Sequence, residues 1–196
     1  MSRRAEYAEA TKQAIVDAAR EVFSQKGYFA ARVEEIAATA RVSPATVYAV
    51  AGGKQGLLRT LADEWAAAPV VERFPLRIRG ACDPAEILGL LAALTRRMRQ
   101  DYGDIIRLVL TTAPHEATAA DGLARATARF RDGIAAVAHR LAELGALRPG
   151  VGAAEAVDVL WFHFGHPGFA TLVDDNGWSY TRAERWLCEQ ARRALF

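Results

Sequence analysis

Ser43-Pro44 and Gly52-Gly53 are a helix start and a helix stop so close together that only about two helical turns fit between them. Ser43 supplies an N-cap hydroxyl and Pro44 a first-turn residue with its backbone angle already set, while the glycine pair ends the helix. The register of this short helix sends Val47, with Val50 or Ala51, inward and leaves Ala45, Thr46, Tyr48 and Ala49 outside. Upstream, Val33, Ile36, Ala37 and Ala40 form an apolar stripe at helical spacing, with Glu34 and Glu35 in the first turn, where carboxylates suit the helix dipole. Val42 is an apolar plug beneath the turn between the two helices. Two short helices, a tight turn and the start of a third over Val33–Leu58 make the layout of a DNA-reading helix-turn-helix.

The rest of the chain is also helical in pattern. A first long helix is expected from about Glu6 to Gln25, burying Ile15, Ala18, Ala19, Val22 and Phe23 and stopping at Gly27, with Arg3 and Arg4 before it as a basic arm. A helix from Gln55 carries Leu57, Leu58, Leu61 and Trp65 and ends before Pro69; Pro69 to Asp83 reads as an irregular connection with room for a short helical turn. Asp83-Pro84 repeats the start signal, and Ile87, Leu88, Leu91, Leu94, Thr95 and Met98 define a helix to about Tyr102, followed by a separate buried stretch from Ile105 to Thr112 that Pro114 ends. Leu123, Ala126, Phe130, Ile134, Val137 and Leu141 place another helix over about Ala117–Leu144, stopped by Gly145. In the C-terminal third, which holds three of the four tryptophans, a helix from Ala153 to about Gly165 is kinked by Pro167 and stops at Asn176-Gly177, and a last helix starts after Ser179. No strand signal occurs, so the expected class is all-α: an N-terminal three-helix DNA-binding domain (1–53) and a C-terminal helical bundle (54–196), with 54–68 as a linking helix.

The helix-turn-helix resembles that of the tetracycline-repressor (TetR) family of bacterial transcription regulators. The similarity extends upstream through Ala14–Tyr28 and downstream through Lys54, Leu57 and Leu58, about the first third of the chain. Arg41 stands where a turn glycine is common in the family, and Ala49, Val50 and Ala51 replace a histidine flanked by aromatics. Glycine would adopt such a turn at lower cost than Arg41. The resemblance implies a homodimeric repressor released from a near-palindromic operator by a small molecule. It also supports Thr46, Tyr48 and Lys54 as DNA contacts. Gly177-Trp178-Ser179 matches the family's turn before the last helix, and the two terminal apolar-faced helices resemble its four-helix dimer interface.

Charge supports a division of labour. The whole chain is at +2, but residues 1–60 carry nine basic and six acidic side chains, a net of +3, against −1 for the remainder. Apolar residues make up 52%, enough for a compact core, with no run long enough to span a bilayer; the charged N-terminus lacks the apolar core of a secretory signal. A cytoplasmic protein without a membrane partner is therefore expected, and the distant Cys82 and Cys188 fit reduced thiols.

Ser43, Thr46, Tyr48 and Lys54 are candidate phosphate contacts, Arg32 a contact to backbone or a base edge, and Ala45 and Ala49 partners for thymine methyl groups. Trp65, Met98, Tyr102, Thr111, Thr112, His115, Phe130 and Trp161 are the mixture that a pocket for an amphipathic ligand would use. Trp161, Phe164, Phe169, Trp186, Leu187 and Leu195 are candidates for the dimer interface. No cofactor is implied. His163 and His166, three apart near Asp174 and Asp175, lack the third ligand and the HExxH-type spacing that a metal site needs, and no nucleophile-base or glycine-rich phosphate motif points to an enzyme. The alternatives to a ligand-released repressor are activation or constitutive repression, a protein-interaction or ligand-carrier module without operator binding, and an enzyme built on the two histidines.

Overall fold

The computed structural model describes residues 3–72 and 74–196, all of whose regular structure is helical. The helices are α1 (Arg3–Lys26), α2 (Val33–Thr39), α3 (Pro44–Ala51), α4 (Gly53–Ala66), α5 (Pro69–Glu72), α6 (Phe74–Gly80), α7 (Pro84–Thr112), α8 (Ala117–Glu143), α9 (Ala153–Phe164), α10 (His166–Phe169) and α11 (Tyr180–Leu195). A π-helical turn, Ala170–Asp175, follows α10. The chain divides into two compact units, residues 1–67 with 102–126, and residues 68–101 with 127–196.

In the first unit α1 buries Ile15, Ala18, Ala19, Val22 and Phe23, and α4 buries Leu57, Leu58, Leu61, Ala62 and Trp65. These faces brace α2 and α3, which are too short to hold their shape without tertiary packing. Arg20 on α1 forks onto Asp104 on α7 through two bonds of 2.6 and 2.7 Å. Burial is the largest single influence and opposes the Asp104 charge, but the Arg20 hydrogen bonds, the Arg20 charge and the backbone N–H groups of Asp104 and Ile105 together outweigh it and hold the carboxyl below its usual range. Two corrections arise here. Arg3 lies in the first turn of α1 rather than in an arm, and the Arg4 side chain is outside the described set. Helix α7 does not break near Tyr102 but continues to Thr112, because Ile105, Ile106 and Val109 extend the buried face of Leu91, Leu94 and Thr95. A single glycine, Gly103, costs a helix only about 1 kcal/mol.

In the second unit Ile87, Leu88 and Leu91 of α7 meet Ile134, Val137 and Leu141 of α8, Leu160 and Phe164 of α9, and Leu187 and Leu195 of α11 in one core. Pro69 to Asp83, expected to be irregular, contains α5 and α6, with Phe74 and Ile78 buried in that core; Arg73 falls outside the described residues. The expected kink lies at Gly165, where the backbone turns extended and Pro167 enters the first turn of α10. Ser179 caps α11 by accepting from the Arg182 N–H at 3.2 Å, and the Arg182 guanidinium lies 3.8 Å from the Trp178 ring.

His166, just past the kink, is largely buried. Its Nε2 is 3.2 Å from the Thr127 hydroxyl, and its carbonyl accepts from the buried Arg99 guanidinium. Burial, and then the Arg99 charge, lower its pKa from 6.5 to about 4. Between these values the unfolded chain binds the proton and the folded chain does not, so the stability present above pH 6.5 is lost as pH falls toward 4. Unfolding followed by near-UV circular dichroism should lose up to about 3 kcal/mol across this window, and His166→Gln should flatten the dependence; an unchanged slope in that variant would place the titrating group elsewhere.

Candidate nucleic-acid interface

Helix α2 starts from extended Arg32, whose backbone N–H donates to the Glu35 carboxylate at 3.1 Å, while Lys26 bridges the same side chain at 2.5 Å. It ends in a Schellman motif, in which the Arg41 N–H donates to the Ala38 carbonyl at 3.1 Å and the Val42 N–H to the Ala37 carbonyl at 2.9 Å. Arg41 occupies the left-handed position of that motif at φ 57, and no other non-glycine described residue has a positive φ. This conformation costs a side-chain-bearing residue about 1 kcal/mol relative to glycine.

Ser43 then caps α3. Its hydroxyl oxygen accepts from the Thr46 N–H at 3.1 Å and pairs with the Thr46 hydroxyl at 2.8 Å. Val47 is fully buried and anchors the helix, whereas Ala45, Tyr48, Ala49 and Val50 face solvent, Tyr48 at 59% exposure. Of the two residues offered as inward partners of Val47, Val50 is exposed and Ala51 half-buried. Gly52 and Gly53 both take positive φ, and a Cβ at Gly53 would lie 2.7 Å from the Tyr48 ring, so the ring rests where only glycine leaves room. Gly56 performs a similar service from α4, since a Cβ there would lie 1.7 Å from the Ala51 carbonyl oxygen.

The family model for bacterial regulatory proteins of the tetR family matches residues 15–61, the stretch that builds this motif. The match covers the helix-turn-helix and the end of the helix before it, about a quarter of the chain. The HTH-type transcriptional repressor SCO4008 of Streptomyces coelicolor is 30% identical over 132 residues, a match spanning 64% of this chain and 65% of that repressor. Among solved structures, the fatty acid degradation regulator FadR of Bacillus halodurans shares the fold with a TM-score of 0.71 at 17% identity, over 92% of this chain and 93% of its own. FadR of Bacillus subtilis, solved in complex with stearoyl-CoA, gives 0.71 at 16% identity over 94% and 99%.

In this chain the expected DNA contacts fall into two groups. Ser43, Ala45, Thr46, Tyr48 and Ala49 share α3 and its cap, and Arg32 is exposed at the start of α2. Lys54 differs: its ammonium donates to the carbonyls of Ala31 at 2.8 Å and Phe29 at 3.3 Å and lies 4.6 Å from the Tyr28 ring centre, and burial lowers its pKa. Two of its three donors therefore tie the α1–α2 loop to α4, a role the sequence did not signal. Lys54→Met should cost this unit about 1–3 kcal/mol in urea unfolding, because it leaves those carbonyls without a charged donor; an unchanged midpoint would show that water replaces the ammonium without loss.

The eight candidate pocket residues are divided between the units. Trp65 and Thr112 are buried in the first, Tyr102 is half-buried there, and Thr111 and His115 are exposed, His115 meeting the edge of the Phe29 ring. Met98, Phe130 and Trp161 belong to the second, where Phe130 and Trp161 meet edge to face at 6.0 Å beside His166. Phe130 lines a cleft of about 300 Å³ with Val71, Phe74 and Leu94, residues that the sequence had marked only as core or connection, and with Gly133.

The interface candidates need a larger correction. Phe164, Phe169, Leu187 and Leu195 are buried in the core of the second unit, so none is available on the chain's surface. Trp161 is half-buried under the Arg131 guanidinium, and Trp186 is 44% exposed. Phe162, which the sequence reading passed over, is 77% exposed on α9. His163 donates from Nδ1 to the Val159 carbonyl at 2.8 Å, and no group of three or more His, Cys, Asp or Glu among the described residues is placed to hold a metal ion. No helix among the described residues is long and apolar enough to cross a membrane.

Proposed function

We propose that this chain is a DNA-binding transcription regulator, a homodimeric repressor released from a near-palindromic operator by a small molecule. The observation that carries the reading is the outward face of α3: two alanines, the Ser43–Thr46 hydroxyl pair and an exposed phenol, on a helix fixed by Val47 below and by glycine-permitted contacts at its end. Small side chains let such a helix approach base edges, and the hydroxyls reach phosphates that fix register. Residues 1–53 are the DNA-reading domain in this proposal, 54–68 the linking helix, and the remainder the ligand-binding and dimerisation part.

Similarity to a transcriptional repressor and to a FadR that holds stearoyl-CoA supports a ligand-responsive regulator; the ligand of this chain is a separate question. A small molecule would act by favouring a conformation whose two recognition helices no longer match the groove spacing, to an extent set by its differential affinity for the two states. The dimer face is proposed around Phe162 and Trp186, the apolar side chains that α9 and α11 leave most exposed. A two-fold dimer would put two α3 helices into successive major grooves about 34 Å apart. Hydroxyl-radical footprinting on a bound fragment should therefore give two protected patches one helical turn apart; a single patch would contradict the dimeric mode of binding.

A further inference from the structure

We infer that Arg41 is a phosphate anchor for the operator, held in a backbone conformation that lowers the chain's own stability. The inference rests on the regulator reading above and assigns a residue to it that was first noted only as a departure in the turn. Arg41 is exposed in the three-residue link, Ala40 to Val42, between the end of α2 and the Ser43 cap of α3. Its φ of 57 belongs to glycine, and glycine would keep both backbone bonds of the Schellman motif.

Three other cations of this unit are spent inside the protein, while Arg32 is exposed at the start of α2. Arg20 is bonded to Asp104, Lys26 to Glu35, and Lys54 to two carbonyls. The Arg41 guanidinium has no hydrogen-bond or ion-pair partner among the described residues, so it does nothing for the fold that would offset the strained backbone. Strain without a structural return, next to the helix proposed to enter the groove, points to function. A guanidinium there suits a phosphate oxygen pair, since its fork matches that geometry and keeps its charge at any working pH.

The test uses the full chain with wild type, Arg41→Gly and Arg41→Lys, on a duplex recovered by selection from genomic fragments and on a scrambled duplex of equal length, across a salt series. Arg41→Gly should melt about 2–4 °C higher than wild type. It should nevertheless bind both duplexes roughly tenfold more weakly at moderate salt, with a salt slope smaller by about one. Arg41→Lys should restore the slope but not the full affinity. The higher melting temperature excludes misfolding as the cause of weaker binding. Equal affinity and slope for Arg41→Gly and wild type would overturn the inference while leaving the regulator reading intact, and weakening confined to the selected duplex would overturn the phosphate assignment in favour of a base contact. Wild type that binds neither duplex at low salt would defeat the regulator reading itself, and the inference with it.

Discussion

Gly56→Ala should destabilise the N-terminal unit by about 3 kcal/mol and lower DNA affinity by displacing α3. The added methyl would stand 1.7 Å from the Ala51 carbonyl oxygen, a backbone atom that cannot rotate away, so either the last turn of α3 or the first turn of α4 must move. Overpacking of this kind costs 1–3 kcal/mol and more where no side chain can yield. Because Val47 alone anchors α3 with full burial, the helix is the element with least holding it and should be the one that shifts. Gly89→Ala is the matched control. It lies within α7, a Cβ there meets nothing within 4 Å, and the change should stabilise by about 0.5–1 kcal/mol through helix propensity. Urea unfolding of the two variants separates the effects, and a Gly56→Ala protein that unfolds at the wild-type midpoint would show that the α3–α4 junction is looser than described.

Leu187→Glu should unfold the C-terminal unit rather than separate two intact protomers. Leu187 is 3% exposed and shares a core with Leu88, Leu160 and Phe164, so the change removes a buried side chain and places a carboxylate where water is excluded. The loss exceeds about 4 kcal/mol, a large part of the stability of a domain this size. Phe162→Glu, on the exposed side of α9, should give a folded monomer instead. Circular dichroism with sedimentation velocity distinguishes the outcomes: Leu187→Glu with native helix content and half the mass would return Leu187 to the interface.

The sequence and the structure agree best where local chemistry decides. The caps at Ser43 and Ser179, the left-handed stops at Gly27, Gly52 and Gly145, and the strained turn at Arg41 were legible because each is set by the conformational range of one residue and its neighbours. The join of two apolar stretches into α7 was missed because the helix was ended near Tyr102 and Ile105 to Thr112 read as a separate buried stretch, when one buried face continues through both. Long-range commitments were also hidden. Lys54 finds its carbonyls 23 and 25 residues away, and no local pattern announces that its charge is used inside the protein. In the Trp161-Phe162-His163-Phe164 run nearly every position is apolar or aromatic, so periodicity could not tell that Phe164 points inward and Phe162 outward. The pocket candidates fall in two units for a similar reason: residue type suggests what a cavity would use, but the packing of α7 and α8 decides which side chains share one unit.

The most direct test of DNA-dependent regulation is selection of bound fragments from the source genome with the purified full chain, sequenced after rounds at low and at physiological salt. A DNA-reading dimer should enrich a short near-palindrome that survives the higher salt, with half-sites one helical turn apart. No enrichment at either salt, with the protein folded, would contradict operator binding and would leave Ala49-Val50-Ala51 as the surface of a helix that serves another partner.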